Sequence, residues 1–339
     1  MVMSKQMVPS QPSQWRKLGL LAIVAVLMLL AACGREDSGK KNDLSNAQQQ
    51  EQTTEPTSEQ PTADQPGATV YPLTVKDDTG TAITLEKAPT RIVALGPSET
   101  EIAFAIGAGD SVVGVDAYSN YPEQAAAIQK IGDMTTNIEK VAALAPDLIL
   151  ASVSANEQAV AQLRELKLNV YATEPKTYDD VIEKIKNIGI LTDKQQSAAE
   201  VSNRMSQVRA DVDSKLAGAD KPAVLIEFSP GWTVGKGEFM DELVTLAGGS
   251  NVAQGNSWYE FDAEQIVKSN PQVIVYPSIP DSPNPIVEAI NARPGWQVID
   301  AVKNNRLVEV PGDPLSRVGP RLADGLQALA KAIHPELFQ

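Results

Sequence analysis

Short apolar runs recur along most of this chain: Ile92–Leu95, Val112–Val115, Leu148–Ala151, Asn169–Ala172, Val224–Phe228, Val273–Tyr276 and Leu307–Val310. Longer stretches with helical spacing separate most of them. Such alternation predicts parallel strands flanked by helices. Ahead of the first run, Val75 to Ile83 reads as a hairpin with Asp78-Thr79-Gly80 at its turn. One segment breaks the rhythm. From Thr192 to Gly218 no strand signal occurs, and Val201, Met205, Val208 and Val212 recur at steps of four and three, the stripe of an amphipathic helix. Thr192 with Gln195 predicts a capping box and Gly218 a stop. Such a helix rises roughly 39 Å, enough to bridge two bodies. The expected organisation is an α/β lobe over 70–191, a connecting helix over 192–218 and a second α/β lobe over 219–339.

The two halves echo one another. Glu139-Lys140-Val141, followed by Pro146-Asp147-Leu148-Ile149-Leu150, returns 125 positions later as Glu264-Gln265-Ile266 and Pro271-Gln272-Val273-Ile274-Val275. A looser echo pairs Glu101-Ile102 through Gly107-Ala108-Gly109 with Glu242-Leu243 through Ala247-Gly248-Gly249. Matched order in both halves predicts two lobes of similar build.

The N-terminal 69 residues differ in kind. A polar basic stretch ending at Arg16-Lys17 precedes the uncharged segment Leu18–Leu30, and Ala31-Ala32-Cys33 follows. This is the layout of a secretory signal, too short for a comfortable membrane span. The sole cysteine directly after two alanines resembles a lipobox, which predicts cleavage after residue 32 and lipidation of Cys33; a plain signal with a chance cysteine is the alternative. Residues 34–69 are Gln, Glu, Thr, Ser, Pro and Asp with almost nothing apolar, and read as a disordered tether.

Charge and composition narrow the chemistry. Removing residues 1–32 takes away Lys5, Arg16 and Lys17 and no acid, lowering the net charge from −14 to −17. So acidic a body repels nucleic acid. With His334 the only histidine and Cys33 the only cysteine, a transition-metal site and most histidine-dependent catalysis are disfavoured. Asp-Thr-Gly also marks aspartic-protease carboxylates, but its only echo is Asp37-Ser38-Gly39 in the tether, so the turn reading stands. Gly231–Gly237 lacks phosphate-loop spacing, Gly107-Ala108-Gly109 is no dinucleotide fingerprint, and no nucleophile elbow occurs. The chain is expected to be no enzyme and to carry no cofactor.

In open parallel sheets, ligands bind beyond the carboxyl ends of the strands. There the sequence places Ser98, Tyr118, Ser152, Trp232 and the Asp313–Arg317 loop, while Trp258 and Tyr259 are expected in a loop ahead of the helix carrying Glu264. In a chain only 5% aromatic, this clustering suits a large, planar, partly apolar ligand held between lobes. The alternative for each tryptophan is packing under its own lobe, which is the expectation for Trp296.

Arg91-Ile92-Val93-Ala94-Leu95-Gly96-Pro97-Ser98-Glu99-Thr100-Glu101 resembles the opening signature of the helical-backbone (class III) substrate-binding proteins of ABC importers. Tyr118-Ser119-Asn120-Tyr121-Pro122, Ile131-Gly132-Asp133, Thr233-Val234-Gly235-Lys236 and Ser316-Arg317-Val318-Gly319-Pro320-Arg321 extend the resemblance to the C-terminus. It implies two Rossmann-like lobes with mostly parallel sheets, one long rigid helix between them and a ligand cleft, with a small closing motion. Likeness to cobalamin-binding members implies ligand contacts from Tyr118, Trp232, Trp258, Asp313 and Arg317; Ser98, Ser152 and Tyr259 are added as candidates by their place at strand ends and in the adjoining loop, and Met134 by its place where members carry a tryptophan. The tryptophans of well-known members near Met134 and Ser152 are missing here, which keeps ferric siderophores and haem as alternatives. Within the family one Glu per lobe docks on a dimeric permease; Glu139 and Glu264 match, the alternative being simple favour for a helix N-terminus. The expected partners are a small-molecule ligand, an ABC permease dimer with its ATPase subunits and, through the anchor, a membrane. The expected state is a monomer on the outer face of the cell membrane.

Overall fold

A computed structural model describes residues 67–133, 135–279 and 283–338. The signal segment, Cys33, nearly all of the tether and Met134 lie outside the described residues. Gly67–Thr69, read from sequence as tether, belong to the folded body. The Thr69 N–H donates to Asp193 (2.7 Å), its hydroxyl to the Ile190 carbonyl (2.7 Å), and Gln195 reaches Gly67 and Thr69.

The hairpin forms as β1 (Leu73–Lys76) and β2 (Ala82–Leu85), with Gly80 at φ +79° in the turn. Asp77 is consumed there. One carboxylate oxygen accepts the Thr79 and Thr81 N–H groups at 3.0 and 3.1 Å; the other accepts the Ala172 N–H (3.1 Å) and pairs with Arg164. A carboxylate so occupied fastens the hairpin to the first sheet.

That sheet comprises β3 (Ile92–Ala94), β4 (Val112–Val115), β5 (Leu148–Ser152) and β6 (Val170–Thr173), all parallel, in the order β4-β3-β5-β6. The second comprises β7 (Ala223–Ile226), β9 (Ser250–Asn251), β11 (Val273–Pro277) and β12 (Leu307–Val310), also parallel, in the order β9-β7-β11-β12. Counted within each lobe, both orders are 2-1-3-4. Two short strands absent from the sequence expectation, β8 (Trp232–Val234) and β10 (Trp258–Glu260), pair antiparallel outside the second sheet. Trp258 and Tyr259 are therefore on a strand, not in a loop.

The repeat persists to single hydrogen bonds. Helices α2 (Ile138–Ala143) and α7 (Ala263–Ser269) are capped by Asn137 and Asp262, 125 positions apart, and each is followed by a left-handed residue, Ala145 or Asn270, both at φ 43°. The next strands start alike: the Asp147 and Gln272 N–H groups donate to the Arg91 and Ala223 carbonyls (both 2.8 Å), while their side chains accept the N–H groups of those same residues. The looser echo holds too. Helix α1 (Pro97–Ala105) and helix α6 (Phe239–Leu246) end in the same C-terminal motif, with Ala108 N–H on Ala103 and Gly249 N–H on Val244, each at 2.8 Å.

Strand alternation sorts the core into three bodies. Ile92, Ala94, Leu148 and Leu150 face one continuous core that also takes Val224, Ile226, Val273 and Val275 of the other sheet. The opposite faces, Val93, Ile149 and Ala172 in one lobe and Leu225, Ile274 and Tyr276 in the other, pack into separate outer cores. Through the shared core run α4 (Tyr178–Leu191), α5 (Gln195–Lys215) and α11 (Leu322–Ile333). The connector is thus α5, 21 residues long, about 32 Å at the usual rise. It buries Ala198, Ser202, Met205, Val208 and Val212, with Val201 only partly covered. Thr192 does not cap it. Its hydroxyl donates to the Ile188 carbonyl (2.7 Å) and closes α4, whose own start carries the capping box, Thr177 with Asp180. The remaining helices are α3 (Glu157–Glu165), α8 (Pro285–Ala292), α9 (Asp300–Lys303) and α10 (Gly312–Ser316). None of the described helices is long and apolar enough to cross a membrane.

Candidate ligand cleft

In the second lobe, the segment after β7 turns sharply before β8. The Trp232 N–H donates to the Ser229 carbonyl (2.8 Å), and Gly231 takes φ +83°, which glycine adopts without strain. The Gly231 N–H is caught by Glu227 (2.9 Å), a fully buried carboxylate. Arg293 grips Glu227 with both guanidinium nitrogens, one at 2.7 Å, and lies over Trp296 and Phe261, 4.4 and 5.0 Å from the ring centres. Trp296 is buried in the outer core, as its sequence context implied. A buried charge needs a partner, and here the pair fixes the turn that presents Trp232.

Strand pairing sets Trp258 opposite Val234 and Glu260 opposite Trp232. The two indoles are therefore diagonal neighbours on one face of the ribbon. They stay 45% and 37% exposed, and Phe228 meets Trp258 edge-on with ring centres 5.1 Å apart. Tyr259, between them in sequence, faces the other way. Its hydroxyl accepts the Gly255 N–H (3.0 Å), and its ring lies so close to Gly235 and Gly255 that a Cβ on either would meet it at 3.0 Å or less. Its side chain holds the Gly255 turn.

In the first lobe, Tyr118 is 52% exposed on the loop after β4. Asp116 shapes that loop, accepting the Tyr118 N–H (3.1 Å) and the Ser119 hydroxyl. Burial pushes the Asp116 carboxyl above the usual carboxylate range, only partly offset by these hydrogen bonds. Ser98, half-buried in the first turn of α1, has its carbonyl beside Gly319 of the other lobe. Ser152 is drawn inward: its hydroxyl donates to Glu174 (3.2 Å), which also takes the Ser154 hydroxyl (2.7 Å) and pairs with Lys176. Burial alone would raise the Glu174 carboxyl, but these donors hold it below its ordinary value.

The lobes touch at two places near these loops. Lys176 pairs with Glu238 (3.5 Å) and the Tyr178 N–H donates to Glu242 (2.6 Å). On the other side, Arg317 donates to Glu101 (2.8 Å) and Asn120 (3.0 Å), and Arg321 donates twice to Glu101 (2.6 and 2.9 Å). Asp313 pairs with Arg317 (2.8 Å) and lies 3.5 Å from Arg321, whose guanidinium covers the Tyr121 ring at 4.0 Å. The structure thus gathers Asp313 and Arg317 against the Tyr118 loop, and Trp232 and Trp258 on one ribbon. Glu139 and Glu264 are exposed at the second positions of α2 and α7. Glu101, Asn120, Tyr121, Arg321 and Phe228 were not foreseen at the site. Glu101 and Arg321 stand in the motifs quoted above, but nothing local signals that they meet.

Comparison with known proteins places this architecture. Residues 92–314 match the family described as periplasmic binding protein. The chain belongs to that family. Among the relatives of this periplasmic binding protein is an uncharacterized ABC transporter substrate-binding lipoprotein of Bacillus subtilis, 35% identical over 281 residues, 80% of this chain and 88% of the relative. A cobalamin-binding protein of Halobacterium salinarum is 30% identical over 284 residues, covering 80% and 77%. A possible iron-binding, periplasmic solute-binding protein of Staphylococcus epidermidis has a solved structure that matches with a TM-score of 0.63 and 32% identity, covering 73% of this chain and all of that one. The two lobes of equal topology on a single helix are those of the helical-backbone class.

Proposed function

We propose that this periplasmic binding protein captures cobalamin or a closely related corrinoid outside the cytoplasm and delivers it to an ABC importer. The observation that carries the reading is the pairing of half-exposed aromatics with spent cations. Trp232, Trp258 and Tyr118 offer broad apolar surface at the loop ends, suited to a large ring system. Arg317 and Arg321 are balanced by Glu101 and Asp313, so that cluster offers no free cation to a highly anionic ferric catecholate. The cobalamin-binding relative points the same way. Glu139 and Glu264 are the docking carboxylates for the permease pair, and Cys33 is the lipidated anchor of a receptor acting as a monomer.

Calorimetric titration of the full-length chain in detergent with cyanocobalamin tests the ligand. One-to-one binding is expected, weakened at least tenfold by Trp258→Ala, about 1.4 kcal/mol, and left intact by Tyr259→Phe. Silence with cobalamin and heat with haem or a ferric siderophore would keep the importer role and replace the ligand.

A further inference from the structure

We propose that Glu101 is a specificity-determining positioning residue: it holds Arg317 and Arg321 across the lobe boundary and so keeps both guanidiniums from serving as ligand cations. This rests on reading the Tyr118–Arg317 region as the ligand mouth. The Glu101 side chain is 1% exposed and takes three hydrogen bonds from the two arginines, whereas Asp313, their other counter-charge, is 45% exposed. The buried carboxylate, poorly screened by water, therefore dominates their electrostatics. The pairing is not a requirement of the helix position. Glu242, the equivalent residue of the other lobe, also reaches across the boundary but meets a backbone N–H. The ion pair on the other side, Lys176 with Glu238, is longer (3.5 Å) and its lysine is half-exposed, so only the Glu101 clasp sets two guanidiniums on one buried carboxylate. That clasp leaves stacking surface in place while cancelling charge that would attract polyanions.

Glu101→Gln keeps the size and an acceptor oxygen but frees one positive charge. In the full-length chain in detergent, tryptophan quenching should show ferric enterobactin, a triply anionic tris-catecholate, binding at least about tenfold more tightly to E101Q than to the parent at low ionic strength. The gain should shrink in high salt and vanish in E101Q/R317M, which assigns it to the Arg317 guanidinium rather than to a loosened body. A folded E101Q with unchanged ferric enterobactin affinity overturns the proposal. Should E101Q fail to fold, Asp313→Asn carries the test: an affinity unchanged or raised by well under tenfold supports the proposal, because Glu101 still holds both arginines, whereas a gain of about tenfold or more makes Asp313 the controlling counter-charge and overturns it. Failure of the parent to bind cyanocobalamin would strike the corrinoid reading alone, since the anion comparison does not depend on it.

Discussion

Glu101 and Glu242 occupy the same position in the first helix of their respective lobes, and each reaches into the other lobe. Glu101 meets two arginines and Glu242 meets the Tyr178 N–H at 2.6 Å. The pair ties the lobes together from both directions, in keeping with a core shared between the sheets.

Burial pushes the Glu242 carboxyl above the ordinary 4.5, against the partial pull of the Tyr178 N–H and Arg209. A carboxyl raised on folding contributes stability below its unfolded pKa, and that contribution is lost as pH rises through the folded value. Glutamine keeps the acceptor without titrating. The stability of Glu242→Gln relative to the parent should therefore climb from about pH 4 toward neutrality and then level off. Urea unfolding across that range reads it, and a pH-independent difference would count against it.

Ala145 and Asn270 hold the same left-handed φ of 43°, but only Asn270 is compensated. Its side chain exchanges hydrogen bonds with Asp300, both at 2.9 Å. Alanine in that region costs about 1 kcal/mol. Ala145→Gly should stabilise the chain by up to about 1 kcal/mol, whereas Asn270→Gly should destabilise it. Denaturation midpoints moving together in one direction would refute the distinction.

Ser202 sits in the spanning helix α5 with its hydroxyl buried and without a hydrogen-bond partner. Removing an unsatisfied buried hydroxyl returns about 1 kcal/mol, and alanine is the better helix former. Ser202→Ala should raise the melting temperature without altering ligand affinity; a lowered one would show that the hydroxyl has a partner in solution.

Glu139 and Glu264 are exposed equivalents on matching helices. If they meet a twofold permease, each alanine variant should depress receptor-stimulated ATPase activity in proteoliposomes, and the double variant more so. Ligand affinity should not change. Full stimulation by the double variant would remove them from docking.

The runs of apolar residues revealed all eight strands but one of the two main sheets, because buried parallel strands are continuous apolar stretches. Two- and three-residue strands such as β8, β9 and β10 carry no periodicity, so Trp258 and Tyr259 read as loop until pairing with β8 turned one outward and the other inward. The start of α5 was misplaced because Thr192 and Gln195 have the right types for a cap, while Asp193, at φ 55°, breaks the chain between them. The place of Tyr118, on the loop after β4, was legible from the end of that strand. The neutralisation of Arg317 was not, since its partner Glu101 lies 216 positions away.

The fastening of Gly67 and Thr69 to Ile190, Asp193 and Gln195 has a mechanical consequence. Tension arriving through the chain upstream of residue 67 is delivered to the junction of α4 and α5. That junction lies a full α4, 14 residues or about 21 Å, from Tyr178, where the lobes touch. A pull entering there is taken up by the α4–α5 spine, a helix length away from the contact between Tyr178 and Glu242.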